Sequence, residues 1–279
     1  MATFATSDQL LVIIDPVARR ADGEAVRIAK DVLSAGAATK VCLPDDPEEF
    51  ARALARRGSR RPVVVGDDRA FLRTVSLLHR QRELAGCPLS VVPVGPRLSV
   101  SRSLGLPTGA VTAARAVLDG VEQRRDLLVD DSDGVVLGAV GIPPAAVPQD
   151  TGEAPAQAAP WLRTCRSLVR TLVPARPGRA DGGAPGPSRI RVEVDGVTVV
   201  DLGQPVAAVS VTPGDSGVAE VEVRSAPAGS EEEPVRTVGR TVSVSGEDFR
   251  YRADAGVCGP VRRRTWTVRE GELGLVVPG

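Results

Sequence analysis

The spacing of hydrophobic and polar positions changes about half-way along the chain. In the first half, short apolar runs alternate with segments whose apolar residues recur every three to four positions. Leu10–Asp15 (LLVIID) reads as a buried strand. Gly23–Gly36 reads as a helix, with Val26, Ala29, Val32 and Leu33 on one face and glycine at its end. A short strand at Thr39–Pro44 precedes a helix that Asp46 caps, with Pro47 at its first position and Glu48 and Glu49 in its first turn. Arg61–Gly66 is a strand, Ala70–Gly86 a helix with Phe71, Leu72, Val75 and Leu78 inward, Pro88–Gly95 a strand and Thr108–Val121 a helix. Strands alternating with helices imply a parallel sheet covered on both faces.

From Arg189 onward the period is two, as in RIRVEVDGVTVVD, with Asp195-Gly196 as a hairpin turn. Between the halves lie two Pro-, Ala- and Gly-rich linkers, 143–160 and 174–188, around a basic amphipathic helix, 161–173. Such a helix, with Trp161 on its apolar face, suits packing on its own chain or a membrane or protein partner. The expected architecture is a doubly wound α/β domain over residues 1–130, then a β-rich, mainly antiparallel domain over 131–279.

Composition removes several functional classes. The formal net charge is zero, so a nucleic-acid partner is not expected. The arginine clusters at Arg56-Arg57, Arg60-Arg61 and Arg262–Arg264 read as solvated surface. Cys42, Cys87, Cys165 and Cys258 lack C-x-x-C spacing, and His79, the single histidine, reads as an exposed helix position. No zinc site or disulfide framework is implied, and reduced cysteines fit a cytoplasmic protein. No run reaches the roughly 20 apolar residues of a membrane span. The acidic stretch Asp126–Gly138 lacks a glutamate at the twelfth position of a calcium loop and reads as a hairpin.

The stretch VVVGDDRAFLR, Val63–Arg73, is where chemistry is expected. A strand, a glycine-containing turn and a helix often cradle a phosphate, because backbone N–H groups face a ligand where side chains do not intrude. Here the turn carries Asp67 and Asp68. The local reading is a strand-to-helix turn with Asp67 or Asp68 as its N-cap.

The order of four segments resembles the bacterial diacylglycerol kinase and lipid kinase family, relatives of the NAD kinases. IIDPVARR stands where that family has an N-P-x-S-G turn, and VVVGDDRA where it has G-G-D-G-T. PVGPRLSVSRSLGLP stands for P-L-G-T-G-N-D-F-A-R with L-G-[IL]-P, and RADAGVCGP for an Asp-Gly-Glu turn before the final strands. The resemblance implies ATP-dependent phosphoryl transfer to a lipid hydroxyl, with ATP and Mg²⁺ as cofactors. It assigns Gly66, Asp68, Arg69, Gly95 and Asp15 to the nucleotide. Asp254 is a general base or metal ligand, or else a turn aspartate. Metal ligands are otherwise open.

The departures touch every segment: Asp15 stands for the family's asparagine and Gly256 for its glutamate, and most lie in the phosphate loop and the third segment. Asp67 and Arg69 replace two glycines, Ala70 replaces the threonine, and Pro96 to Ser99 replace Thr-Gly-Asn-Asp. A bridging Mg²⁺, or Arg69 or Arg97 as a new phosphate contact, would be needed to compensate. Impaired or absent kinase activity is expected. The alternative is a pseudokinase acting as a lipid- or protein-binding regulatory module, peripheral to the membrane where the partner is a lipid.

Overall fold

The computed structural model describes residues 9–144, 188–226, 233–254 and 256–279, all within one compact unit. The two linkers and the 161–173 helix fall, apart from a few flanking residues, outside the described residues.

The first half runs β1 (Gln9–Ile14), α1 (Pro16–Ala21), α2 (Gly23–Gly36), β2 (Ala38–Cys42), α3 (Pro47–Ala55), β3 (Arg61–Gly66), α4 (Asp68–Arg80), β4 (Ser90–Pro93), α5 (Ser99–Ser103) and α6 (Ala110–Asp119). Its four strands form a parallel sheet in the order β2-β1-β3-β4. Side chains alternate across it. Leu10, Val12, Ile14, Val63 and Val65 meet Val26, Ala29 and Leu33 of α2 and Ala113, Ala114 and Val117 of α6. On the other face, Leu11, Ile13 and Val64 meet Phe50 and Leu54 of α3 and Phe71, Val75 and Leu78 of α4. Helices on both faces explain why these strands read as unbroken apolar runs.

The rest is antiparallel: β5 (Val121–Asp130), β6 (Val135–Val136), β7 (Val140–Ile142), β8 (Ile190–Val194), β9 (Val197–Val200), β10 (Val206–Pro213), β11 (Ala219–Ser225), β12 (Val235–Gly239), β13 (Thr241–Ala253) and β14 (Gly256–Val277). They build one large sheet in the order β12-β11-β10-β7-β13-β14-β5-β6, with β8 on β13 and β9 on β8. The hairpin turns follow the sequence. Asp195 and Gly196 both have positive φ between β8 and β9, as a tight hairpin requires. The Asp126–Gly138 stretch holds the β5–β6 hairpin, with Leu128 opposite Val136.

β14 ties the two halves together. Its first part pairs with β13 and its later part with β5. Leu273, Leu275 and Val277 pack in the same cluster as Leu11, Ile13 and the α3 and α4 side chains. A second core, with Trp266 stacked edge-on to Tyr251 at 5.2 Å, fills the sheet's other layer.

His79 departs from the expected exposed position. Its ring bridges two carboxylates, Glu272 through Nδ1 and Asp133 through Nε2, each at 3.0 Å. The imidazole is largely covered because the β5–β6 turn and β14 both lean on α4. Nothing in helical spacing reveals that contact, which joins residues far apart in sequence.

Candidate functional site

The C-terminal ends of parallel strands are where α/β sheets bind ligands, and aspartates gather there. Asp15 follows β1, and Asp67 and Asp68 follow β3. Asp254, from the β13–β14 turn, lies near enough to feel the charge of Asp68.

Asp15 caps α1: its Oδ1 accepts the Val17 amide at 2.8 Å. Its Oδ2 accepts the Arg73 guanidinium at 3.1 Å, and the side chain is almost wholly buried. Arg73 lies on α4 and carries the positive charge that faces this carboxylate.

Asp67 is the N-cap of α4. Its Oδ1 accepts the amides of Arg69 at 3.1 Å and Ala70 at 3.3 Å. These are the first free N–H groups of the helix, the groups that a bound phosphate uses elsewhere. Burial pushes the Asp67 carboxyl above its ordinary value. The two amides offset that in part, and the charges of Asp15 and Asp68 add to it.

Asp68 is fully buried and saturated. Its Oδ2 accepts the Val100 amide at 2.8 Å and the Ser99 hydroxyl at 3.2 Å. Its Oδ1 accepts the Ser101 amide at 2.9 Å and the Ser101 hydroxyl at 2.8 Å. Its own amide donates to the Arg97 carbonyl at 2.8 Å. A carboxylate offers about four acceptor positions, and Asp68 spends them on starting α5.

The two glycines are held by packing. A Cβ on Gly66 would lie 2.6 Å from the Ala70 Cβ and 3.2 Å from the Asp15 Cβ. Gly95 has φ +134°, and a Cβ there would lie 2.9 Å from the Asp67 Cβ. Arg69 and Arg97 are exposed at the rim.

Asp254 adopts a left-handed φ of 46°. Its Oδ2 accepts the Leu137 amide at 2.8 Å, and its Oδ1 accepts Gly138 at 2.7 Å and Ala139 at 3.1 Å. Its own amide donates back to the Ala139 carbonyl at 3.0 Å. Burial raises its pKa, the three amides lower it, and Asp68 raises it further. A Cβ on Gly138 would lie 2.9 Å from Asp254 Oδ1 and 3.7 Å from Val100 Cγ2, so this turn abuts α5.

The structure therefore places Asp15, Gly66, Asp67, Asp68 and Gly95 in direct contact, with Asp254 beside them and Arg69 at the edge. Sequence reading missed Arg73, Ser99, Ser101 and the Leu137–Ala139 amides. Ser-x-Ser after a loop is a weak helix-start signal, and the backbone donors leave no signal in residue type. Among the described residues no group of three His, Cys, Asp or Glu side chains is arranged to hold a metal ion.

No family model matches the chain, and no curated protein does. Solved structures do. One of a diacylglycerol kinase from Bacillus anthracis str. Sterne superposes with a TM-score of 0.71, covering 98% of each chain at 14% identity. The chain has the diacylglycerol-kinase fold. Two further structures from that organism, assigned the same activity, give TM-scores of 0.70 and 0.69 at 14% identity. They cover 98% and 99% of this chain and 98% of their own. At that identity the likeness is one of architecture: a parallel sheet followed by a large antiparallel one. Within the diacylglycerol-kinase fold, the turn after β3 has its first two free helix amides taken by the Asp67 side chain. No helix among the described residues is long and apolar enough to cross a membrane.

Proposed function

We propose that this chain keeps the scaffold of a lipid kinase without its phosphotransfer chemistry, and acts as a lipid- or protein-binding regulatory module. The observation that carries this reading is the Asp67 carboxylate on the Arg69 and Ala70 amides.

ATP with Mg²⁺ is the cofactor that the family resemblance implies, and the residues present do not fit it. A phosphate at those amides would have to displace Asp67 or sit against it. Two like unit charges about 4 Å apart cost on the order of 4 kcal/mol at an effective dielectric near 20. Asp68 has no acceptor position left for a metal ion. Pro96 has no N–H to offer in the neighbouring loop. The two retained glycines make room for Ala70, Asp15 and Asp67 rather than for a ligand.

A second reading has one observation in its favour. Burial raises the pKa of Asp254, as a general base requires. Both oxygens of Asp254, however, are already committed to backbone amides.

Thermal shift with Mg-ATP separates the two. A ligand at 100 times its dissociation constant stabilises a fold by about 2.7 kcal/mol. Wild type should show no shift at millimolar Mg-ATP, whereas Asp67→Gly with Arg69→Gly, which frees the amides, should gain one. A shift in wild type together with phosphoryl transfer to diacylglycerol would overturn the proposal.

A further inference from the structure

A cavity of about 440 Å³ lies along the open edge of the parallel sheet. Among the described residues, the strand at that edge, β2, pairs with β1 alone. Lys40 and Cys42 stand two apart on β2 and so share a face. Glu49, Arg52, Ala53 and Arg56 run along α3 and its C-cap at helical spacing, which puts them on one stripe. These six residues line the cavity. Cys42 and Ala53 pack against the core, so the floor is weakly polar and the charge sits on the walls.

The walls carry three cations and one acid. Glu49 is committed to the start of α3, since its Oε2 accepts the Asp45 amide at 2.9 Å. Its other oxygen stays 3.9 Å from the Arg52 guanidinium, beyond hydrogen-bond distance. Among the described residues, the side chains of Lys40 and Arg56 have no hydrogen bond or ion pair. The acids of the β2–α3 loop are matched elsewhere. Asp45 takes Arg19 at 2.8 Å, and Asp46 caps α3 through the Glu49 amide at 2.7 Å. Arg52 and Arg56 lie at the C-terminal end of α3, where the helix dipole is worth about half an elementary negative charge. Glu49 and the dipole together balance only part of the three cations. Arg57, next in sequence, differs: its charge is met by Glu83.

We propose that this cavity binds a phosphate group, held by Arg52 and Arg56 from α3 and by Lys40 from β2. Two guanidinium forks four residues apart on one helix face suit a tetrahedral oxyanion, through paired, charge-assisted hydrogen bonds. The Lys40 ammonium adds a point charge from the strand side. An anion there also relieves the repulsion among three like charges. The volume suits a small ligand. The site shares no residue with the aspartate cluster, so it stands whether or not the chain transfers phosphate. The phosphate group belongs to a small soluble ester or to a lipid head group, and the experiment separates these sources.

The test titrates wild type with inorganic phosphate and with glycerol 3-phosphate, by calorimetry and thermal shift, against sodium chloride at equal ionic strength. Sedimentation with phosphatidic acid vesicles, and with phosphatidylcholine vesicles as control, forms the second arm. Cys42 is half-buried within the cavity, so its alkylation by iodoacetamide, read by mass spectrometry, reports occupancy in both arms. Lys40→Gln and Arg56→Gln are the main variants, because both side chains are exposed and unbonded. Arg262→Gln, at an exposed position on β14, controls for net charge. The expected result is saturable binding of a soluble probe that slows Cys42 alkylation. Each main variant should weaken it roughly tenfold, and Arg262→Gln should leave it unchanged. Binding confined to phosphatidic acid vesicles, with the same dependence on the variants and the same protection of Cys42, assigns the phosphate to a lipid. Absence of saturable binding in both arms overturns the proposal. So does binding that either main variant leaves intact, that Arg262→Gln weakens equally, or that leaves Cys42 alkylation unchanged.

Discussion

Asp68 and Ser101 meet twice: the Ser101 amide and the Ser101 hydroxyl both donate to the same carboxylate oxygen, at 2.9 and 2.8 Å. The other oxygen takes Ser99 and Val100. The first residue of α4 therefore caps α5 from across the site. Asp68→Asn would keep the shape and turn an amide nitrogen towards two existing donors. The expected cost is about 2 kcal/mol, read as a lower urea midpoint with unchanged slope. A loss under about 0.5 kcal/mol would show that the Asp68 network contributes little to stability.

Asp67→Asn should act in the opposite sense. Asparagine caps helices as well as aspartate does, and it carries no buried charge. Burial raises the folded-state pKa of Asp67 above its ordinary 3.8, so the folded protein holds this proton more tightly than the unfolded chain. Wild type then loses stability as pH rises from the unfolded value through the raised folded one. The variant should be the more stable protein at pH 7, and its advantage should shrink as pH falls towards 3.8. Urea titrations of both proteins across that range would check this. An advantage that grows on acidification would refute it.

His79→Ala should loosen the join between the two sheets. The variant loses both bridges, to Glu272 and to Asp133. The expected destabilisation is roughly 1–2 kcal/mol, with faster amide exchange at the C-terminal end of α4 and in the β5–β6 turn. Unchanged exchange there would mean that the bridge does not hold the elements together.

Leu275→Ala removes a fully buried side chain that packs in the cluster shared by both halves. A loss of about 2–5 kcal/mol is expected. Removing Leu273–Gly279 altogether should lower the melting temperature of the whole protein. A melting temperature equal to that of wild type would show that this part of β14 is dispensable.

Much of the fold was legible because its rules are local. The face of α2 that carries Ala29 and Leu33, the Asp46 cap and Pro47 of α3, and the Asp195-Gly196 turn each follow from a few neighbouring residues. α5 was not legible, since what starts it is Asp68, about thirty residues earlier. At the site, motif order singles out Gly66, Asp68 and Gly95, whereas the atoms packed against them are set by the fold. Gly66 and Gly95 read as room for a phosphate, and the fold sets Ala70 and Asp67 against them. That distinction rests on which atom fills a space, and residue spacing does not encode it. Arg57 and Arg61 read as solvated surface, and their partly covered positions are hidden from residue spacing for a related reason. Two of the groups they bond, Glu83 and Ser90, come from segments twenty-six and twenty-nine residues further on.

β14 also bears on how the protein is made. β5 is complete at residue 130 and β6 soon after, yet β14, the long partner of β5, ends at residue 277. A ribosome adding 5–20 residues per second takes on the order of ten seconds or more to cover that interval. Throughout it, the β5 edge opposite β6 lacks β14, and the apolar layer around Leu11, Ile13 and Val64 lacks Leu273, Leu275 and Val277. The nascent chain therefore presents an open strand edge beside an uncovered apolar face, the kind of surface that chaperones hold. The parallel sheet of the nascent chain gains its last core layer only when the final strand leaves the exit tunnel.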